Sequence, residues 1–304
     1  MNNQSSSPSL CIFANFFIDN EERLQRMKDS FYSFHDVQPE EWRINIRGRL
    51  KQEAYDFLSQ KIDSRLNIYL MESKKGWLFD SYSFMKDARS DYVLFWIEDH
   101  ICRVKPDMLR GVIDDMYEHS VDQLRYSWFH DGSWKVFNAL PPVAETERIK
   151  VSEYSYRSTL QRKNRVANFY IVSAVSIMEI NFFKLILKSN RPFFRRWSPY
   201  VPFDFEKIST DFIANSIKTA MPKSELFASI DDEHGHNGYS LISRQLYPNR
   251  ISRNKLRKIE YGNLYYYSKK IRRQLNKIQY VLSALRFLRR VVYTIIFHLN
   301  CRIK

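Results

Sequence analysis

Short apolar runs and amphipathic helical stretches alternate through the first 118 residues, and few folds accommodate that order. The runs are at about 10–17 (within "SLCIFANFF"), 42–46 ("WRINI"), 66–71 ("LNIYLM") and 92–97 (within "SDYVLFWI"). The last has Val93, Leu94, Phe95, Trp96 and Ile97 in unbroken succession, as a strand buried on both faces requires. After the first run, Asp19 and Glu22 have capping-box spacing, and Leu24, Met27, Phe31 and Phe34 recur with helical period. After the second, Leu50, Ala54, Phe57, Leu58 and Ile62 share one helical face. A mixed segment around Trp77–Ala88 precedes the fourth run, and Pro106 suits the first residue of a helix carrying Met108, Leu109, Val112, Ile113 and Met116. This order predicts an α/β fold with a mostly parallel central sheet and helices on both faces.

In such sheets ligands bind beyond the carboxyl ends of the strands. At the end of the fourth run the chain reads "FWIEDHICRV", so Glu98, Asp99 and His100 follow directly on the most hydrophobic strand. Burying unpaired carboxylates costs several kcal/mol. A metal, another cation or open water must therefore meet them. The alternative is a loop cap in which the two acids pair with Arg103 or Lys105.

The second half alternates less cleanly. Strands are expected in "DQLRYSWF" (122–129), "WKVFNAL" (134–140) and 163–174, a loop at Pro141–Pro142, and a helix over about 176–189. Residues 200–220 begin as an acidic loop and are expected to become helical. Strand-like "ELFASI" then leads into "DDEHGHNG" (231–238), a dense polar cluster that is also compatible with a plain Gly-containing turn. Cys11, Cys102 and Cys301 are far apart and show no C-x-x-C spacing, which suits reduced core thiols and a cytosolic setting. No secretory signal is expected in "LCIFANFFI", and no run reaches the roughly 18–20 apolar residues of a membrane span.

The formal charge of +14 is concentrated in one place. Residues 251–304 hold fourteen Lys/Arg and one acid, Glu260, whereas the other 250 residues hold 34 basic and 33 acidic side chains. From about 262 to 300 the chain has helical periodicity, and Val281, Leu285, Leu288, Val292, Ile295, Ile296 and Leu299 form an apolar face beside arginines. That pattern suits an amphipathic helix lying on an anionic membrane surface. The alternative is a helix packed on the preceding domain with its basic face in water. Nucleic acid is not the expected partner, because the basic and aromatic residues sit on one terminal segment rather than around a groove.

The order of these elements, with the opening "SLCIFANFF", the second strand "WRINI", "ARSDYVLFWIEDH" (88–100) and "PFDFEK" (202–207) before a helix, resembles the nucleotide-sugar glycosyltransferases of the GT-A fold, especially family-2-like bacterial enzymes of polysaccharide assembly (capsule or O-antigen). The resemblance covers about residues 9–240. It implies a glycosyltransferase domain over 1–250, with a nucleotide-binding half at about 9–120 and an acceptor half at about 120–250, followed by the basic tail. It implies a divalent cation, Mg²⁺ or Mn²⁺, held at Asp99 with Glu98, and completed by His234 or His236. It further implies nucleotide contacts at Asn15, Asn45 and Glu72, a base at Glu206 beside Asp204, acceptor contacts at Asp231, Asp232 and Glu233, and an inverting transfer. The chain departs from the family where Asp-x-Asp is replaced by Glu98-Asp99-His100 and where the first loop offers Asn15 in "FANFF". The partners implied are a nucleotide sugar and a glycan or lipid-linked glycan, at the inner face of the cell membrane. "DFEK" also reads as an ordinary acidic helix start, favourable to the helix dipole. Two other classes remain open: a non-catalytic adaptor acting through the tail, and a transferase of another activated group onto glycans.

Overall fold

The computed structural model describes residues 7–62, 66–71, 77–126, 141–154, 176–188, 216–231, 240–252, 254–256, 258–259 and 262. The chain divides into two compact units, 1–249 and 250–304. In the second, residues 254–256 are helical. The basic amphipathic stretch expected beyond Gly262 lies outside the described residues.

The first unit runs β1 (Leu10–Phe17), α1 (Glu21–Phe34), β2 (Glu41–Arg47), α2 (Lys51–Lys61), β3 (Leu66–Tyr69), α3 (Trp77–Met85), β4 (Tyr92–Phe95), β5 (His100–Cys102), α4 (Pro106–Glu118), β6 (Gln123–Arg125), β7 (Ala144–Glu145), β8 (Ile149–Tyr154), β9 (Ser176–Glu179), α5 (Ile180–Lys188), β10 (Ile217–Pro222) and β11 (Phe227–Ser229). Nine strands form one sheet in the order β3-β2-β1-β4-β9-β6-β10-β8-β7. The first four are parallel, β9 runs against both β4 and β6, and β10 is parallel to β6 and antiparallel to β8. This is the expected α/β architecture, with a mostly parallel sheet and helices on both faces.

Alternation along β1 sorts its side chains into two cores. Leu10, Ile12, Ala14 and Phe16 join Ile44, Leu94 and Trp96 under α1 (Met27, Phe31, Phe34), α2 (Ala54, Leu58) and α4 (Leu109, Val112, Met116). Cys11 and Phe13 join Val93, Phe95 and Met178 under α3 (Trp77, Phe84) and α5 (Phe182, Phe183, Ile186). The chain therefore winds outward from β1 through β2 to β3, then crosses back to place β4 on the other side of β1. That reversal is the topological switch point, where α/β sheets open a crevice beyond their strand ends.

Four local expectations are corrected. The cap of α1 is Asn20, whose side chain accepts from Arg23 N, rather than Asp19. The ladder of β4 ends at Phe95, although Trp96 N still donates to Phe13 O at 2.8 Å. The helix expected from 176 begins at Ile180, because Ser176–Glu179 pairs antiparallel with both β4 and β6. Residues 217–220, expected to be helical, lie in β10, where pairing on both sides overrides local helical spacing. The expected strands at 134–140 and 163–174, and the acidic loop at 200–215, lie outside the described residues.

Candidate functional site

Beyond β4 the chain makes a tight turn. His100 N donates to Ile97 O at 3.2 Å, so Glu98 and Asp99 are the two corner residues of a turn closed by an i to i+3 hydrogen bond. Corner side chains project away from the strand. The turn redirects the chain from the main sheet into a two-stranded ladder, in which β5 pairs antiparallel with β11.

Helix α1 holds the turn from below. The Ser30 hydroxyl accepts from Trp96 Nε1 at 2.9 Å and donates to His100 O, and Ser33 Oγ accepts from Cys102 N at 2.8 Å. From the other side, Ile230 N donates to Asp99 O at 2.8 Å. Ser229 pairs with His100, so continuing the register sets Asp231 opposite Glu98. The sequence-predicted Glu98, Asp99 and Asp231, far apart in the chain, are thus brought together at the switch point.

Two arginines that sequence reasoning did not single out complete the arrangement. Arg23 Nη1 donates to Glu98 Oε1, and Arg23 Nε lies 3.7 Å from Asp19. One turn later, Arg26 Nη1 donates to Asp231 Oδ2 at 2.7 Å and its Nε to Glu22 Oε1 at 2.8 Å. Arg26 is only 4% exposed. Burial opposes its charge, but Asp231 and Glu22 outweigh burial and raise its pKa. Glu98 and Asp231 thus pair with arginines of α1. Spacing of three residues on a helix was the available signal, but in so basic a chain it reads as a solvated face.

Asp99 is held differently. Its Oδ1 accepts from His100 Nδ1 at 2.8 Å, and the side chain is 36% exposed. Burial pushes its pKa up, yet the charge and hydrogen bond of His100, with Arg26 and Arg23 beyond, hold it below the ordinary carboxylate range. Asp99 is therefore ionised, and its second oxygen has no hydrogen-bond partner among the described residues. Among the described residues, five carboxylates (Asp19, Glu22, Glu98, Asp99 and Asp231) gather around the guanidiniums of Arg23 and Arg26.

The two asparagines act as a latch. Asn15 and Asn45 are register partners in β1 and β2. Asn45 Nδ2 donates to Asn15 Oδ1 and to Met71 O, and its Oδ1 accepts from Met71 N. Asn15 Nδ2 donates to Ser81 Oγ at 2.9 Å, while its carbonyl oxygen accepts from Trp77 Nε1. Asn45, where a nucleotide contact is expected, is fully buried, and both its amide atoms tie the ends of β2 and β3 together. Asn15 sits at the strand end with its amide turned toward α3.

Glu72, Asp204, Glu206, Asp232, Glu233, His234 and His236 lie outside the described residues. The flanks of 232–239 are fixed, because Leu241 N donates to Ser229 O and Ile242 N to Ile230 O. Both described flanks, Asp231 and Ser240–Ile242, therefore lie beside the ladder that follows the Asp99 turn. Among the described residues no three His, Cys, Asp or Glu side chains converge as a metal site. The donor set still fits a hard cation of the kind held by one or two carboxylates, substrate phosphates and water. Asp99 is ionised, partly exposed and has one oxygen without a hydrogen-bond partner among the described residues.

No protein-family model matches the sequence, and no curated protein matches it. Among solved structures, the chain is similar to S. aureus TarS 1-349, at 13% identity and a TM-score of 0.44, covering 72% of this chain and 59% of that one. It is similar to the same fragment in complex with UDP-GlcNAc, at 12% identity and a TM-score of 0.44, covering 74% and 59%. A third similarity is to mannosyltransferase PcManGT from Pyrobaculum calidifontis in complex with GDP-Man and Mn²⁺, at 11% identity and a TM-score of 0.31, covering 40% and 36%. The chain spans about three-fifths of the TarS fragment it matches.

Proposed function

We propose that the chain is a GT-A-like glycosyltransferase that moves a sugar from a nucleotide-sugar donor to a surface glycan, lipid-linked at the point of transfer. The observation that carries this reading is the acidic turn. An ionised, partly exposed Asp99 stands beyond β4 at the switch point, its backbone bonded to Ile230 across a second ladder that sets Asp231 opposite the neighbouring Glu98. A nucleoside diphosphate leaving a sugar gathers negative charge. A divalent cation at Asp99, Mg²⁺ or Mn²⁺, would supply Lewis-acid stabilisation of that charge. Asp99 Oδ2 offers the ligand oxygen, and His100 fixes the carboxylate through Oδ1. His234 or His236, on a segment whose flanks are pinned beside this turn, is assigned as a further ligand.

The acceptor hydroxyl must lose a proton as the new bond forms. Glu206, with Asp204 beside it, is assigned as the base, on the opposite side of the sugar from the diphosphate in an inverting transfer. Asp231, Asp232 and Glu233 are assigned to the acceptor's hydroxyls, and Glu72 and Asn15 to the nucleotide. The basic tail is assigned to an anionic inner membrane face, where a lipid-linked acceptor would be presented.

The deciding experiment is a thermal-shift screen of UDP-, GDP- and other nucleotide sugars, with and without Mn²⁺. A donor that stabilises the protein only with the cation supports the reading. Asp99→Ala should abolish the shift, and Glu206→Ala should keep it while abolishing product by mass spectrometry. If no nucleotide sugar shifts the protein while the tail alone binds anionic vesicles, the chain is an adaptor and the catalytic reading fails.

A further inference from the structure

The far half of the sheet is built unlike the near half. On one face, Leu124 of β6, Ile177 of β9, Ala220 of β10 and Val151 of β8 join the core under α1, α2 and α4. The residues that alternate with them are polar: Gln123 and Arg125, Ser176, Thr219 and Ser152. Strands patterned in this way ordinarily hold their polar face in water. Here that face is closed to solvent, with Gln123 and Ser176 fully buried and Thr219 and Ser152 nearly so. The row through Gln123 continues across β9, β4 and β1 as Met178, Val93 and Cys11, all in the apolar core under α3 and α5. The polar face therefore begins at the seam between β9 and β6.

Neither amide atom of Gln123, nor the Ser176 hydroxyl, has a hydrogen-bond partner among the described residues. Native interiors rarely leave such groups dry, because each has given up its hydration for nothing. Register fixes how the two side chains are placed. Gln123 stands opposite Met178 and Ser176 opposite Arg125, so they are diagonal neighbours on one face of an antiparallel pair. Such neighbours lie about 7–8 Å apart. A glutamine side chain spans most of that distance, and one water spans the rest. On its other side Gln123 stands opposite Thr219, whose hydroxyl donates to Gln123 O at 3.2 Å and retains acceptor capacity.

We propose that an ordered internal water bridges the Gln123 amide and the Ser176 hydroxyl, with the Thr219 hydroxyl as a third contact, and fastens β6 to β9. A buried water makes about three hydrogen bonds to groups that would otherwise go unpaired. That number is met here by the Gln123 amide, the Ser176 hydroxyl and a lone pair of Thr219. Strand β6 is only three residues long and pairs with β9 over Gln123, Leu124 and Arg125. The bridge therefore adds a tie between side chains to a short ladder, at the seam where the face turns from apolar to polar. The site does not depend on whether the chain transfers sugars.

The test compares folding equilibrium constants of the full chain, from urea denaturation, for Gln123→Met, Ser176→Ala and the double variant. Each single substitution should lower the constant about tenfold, because it leaves the water and the surviving partner short of a bond. The double variant should lose no more than the worse of the two singles, since the first substitution already removes the bridge. Dry, unpaired groups would give the opposite sign: each single substitution would be neutral or stabilising, and the effects would add. A crystal structure of the unaltered protein decides the matter independently, should Gln123→Met fail to fold. It is expected to show a water within hydrogen-bond distance of both Gln123 and Ser176. The bridge is refuted if the single variants are as stable as the unaltered protein or more so, if their effects add, or if a protein group stands in the water's place.

Discussion

Replacing Ser30 by alanine should destabilise the protein out of proportion to the single oxygen removed. Ser30 is fully buried on α1, between the sheet and the turn that carries Asp99. Its hydroxyl serves two partners: the Trp96 indole N–H donates to it at 2.9 Å, and it donates to His100 O. Trp96 is itself buried, so the substitution leaves an indole N–H without its acceptor and a carbonyl without its donor. Each orphaned buried group costs about 1–3 kcal/mol. Alanine returns up to about 0.5 kcal/mol through its better helix propensity. The vacated space is one oxygen atom, too small for water to take over both bonds. The net expectation is a loss of about 2–4 kcal/mol, read as a lower urea midpoint at unchanged slope in far-UV circular dichroism. Ser33→Ala is the internal control: Ser33 accepts from Cys102 N, but it is only half-buried, so water can substitute and the loss should stay near 1 kcal/mol. A Ser30→Ala loss below about 1 kcal/mol, or one equal to that of Ser33→Ala, would refute the claim that Ser30 fastens the turn.

Three further outcomes follow from local geometry. Gly48 has φ +102°, and a Cβ there would lie 2.4 Å from Ile18 O, so Gly48→Ala should cost at least about 2 kcal/mol in urea denaturation and increase hydrogen exchange at residues 18–20. Asp115, buried on α4, accepts from Arg148 Nε at 3.0 Å and Nη2 at 2.6 Å, and Arg148→Ala should cost about 1–3 kcal/mol and speed hydrogen exchange in β8; the figure is reduced from that of a fully buried pair because Arg148 is partly exposed. Asp122 is raised above the ordinary carboxylate pKa by burial, with Glu179 adding to it, against the Lys218 N–H bond and the Lys218 charge. Its folded pKa therefore exceeds the unfolded one, so its ionisation destabilises the fold at neutral pH, and that penalty is relieved as pH falls through the folded value toward about 4. Asp122→Asn keeps the acceptor for Lys218 N and should be more stable than the unaltered protein at pH 7, with the difference vanishing below pH 4 in urea titrations.

The first half of the fold was legible because its signals are long and unmixed. Strands β1 and β4 are apolar on both faces, β2 alternates Trp42, Ile44 and Ile46 with polar residues, and α1, α2 and α4 repeat their apolar residues over three turns or nearly so. The position of Glu98 and Asp99 at a strand end followed from that alternation. What could not be read depends on pairing. Strand β11 lies within the strand-like "ELFASI", but β5 is three residues with no pattern of its own, and which strand β11 would pair with was not written in either segment. The register of that ladder, continued, sets Asp231 opposite Glu98, a juxtaposition with no local signature in the sequence. Likewise, 217–222 carries residues compatible with a helix but is held as a strand between β6 and β8. Arg23 and Arg26 were invisible for a different reason. Their meaning lies in which carboxylates they meet, and sequence shows only that they share a helix face.

The charge distribution gives these pairings their functional sense. The first 250 residues are almost neutral, with 34 basic and 33 acidic side chains, so no long-range field draws an ion to the turn. The attraction must be local, and it is: five carboxylates within one crevice face two arginines. Without the arginines, that density of negative charge at the end of a buried strand would oppose folding by self-repulsion. With them, the fold is satisfied before any ligand arrives, at the cost of screening the acids from the ligand. Asp99 escapes this compromise because its partner is an imidazole that binds one oxygen and leaves the other accessible. The site is thus held between two demands, neutrality for folding and negative charge for binding. Arg26, almost fully buried between Glu22 and Asp231, belongs to the first demand.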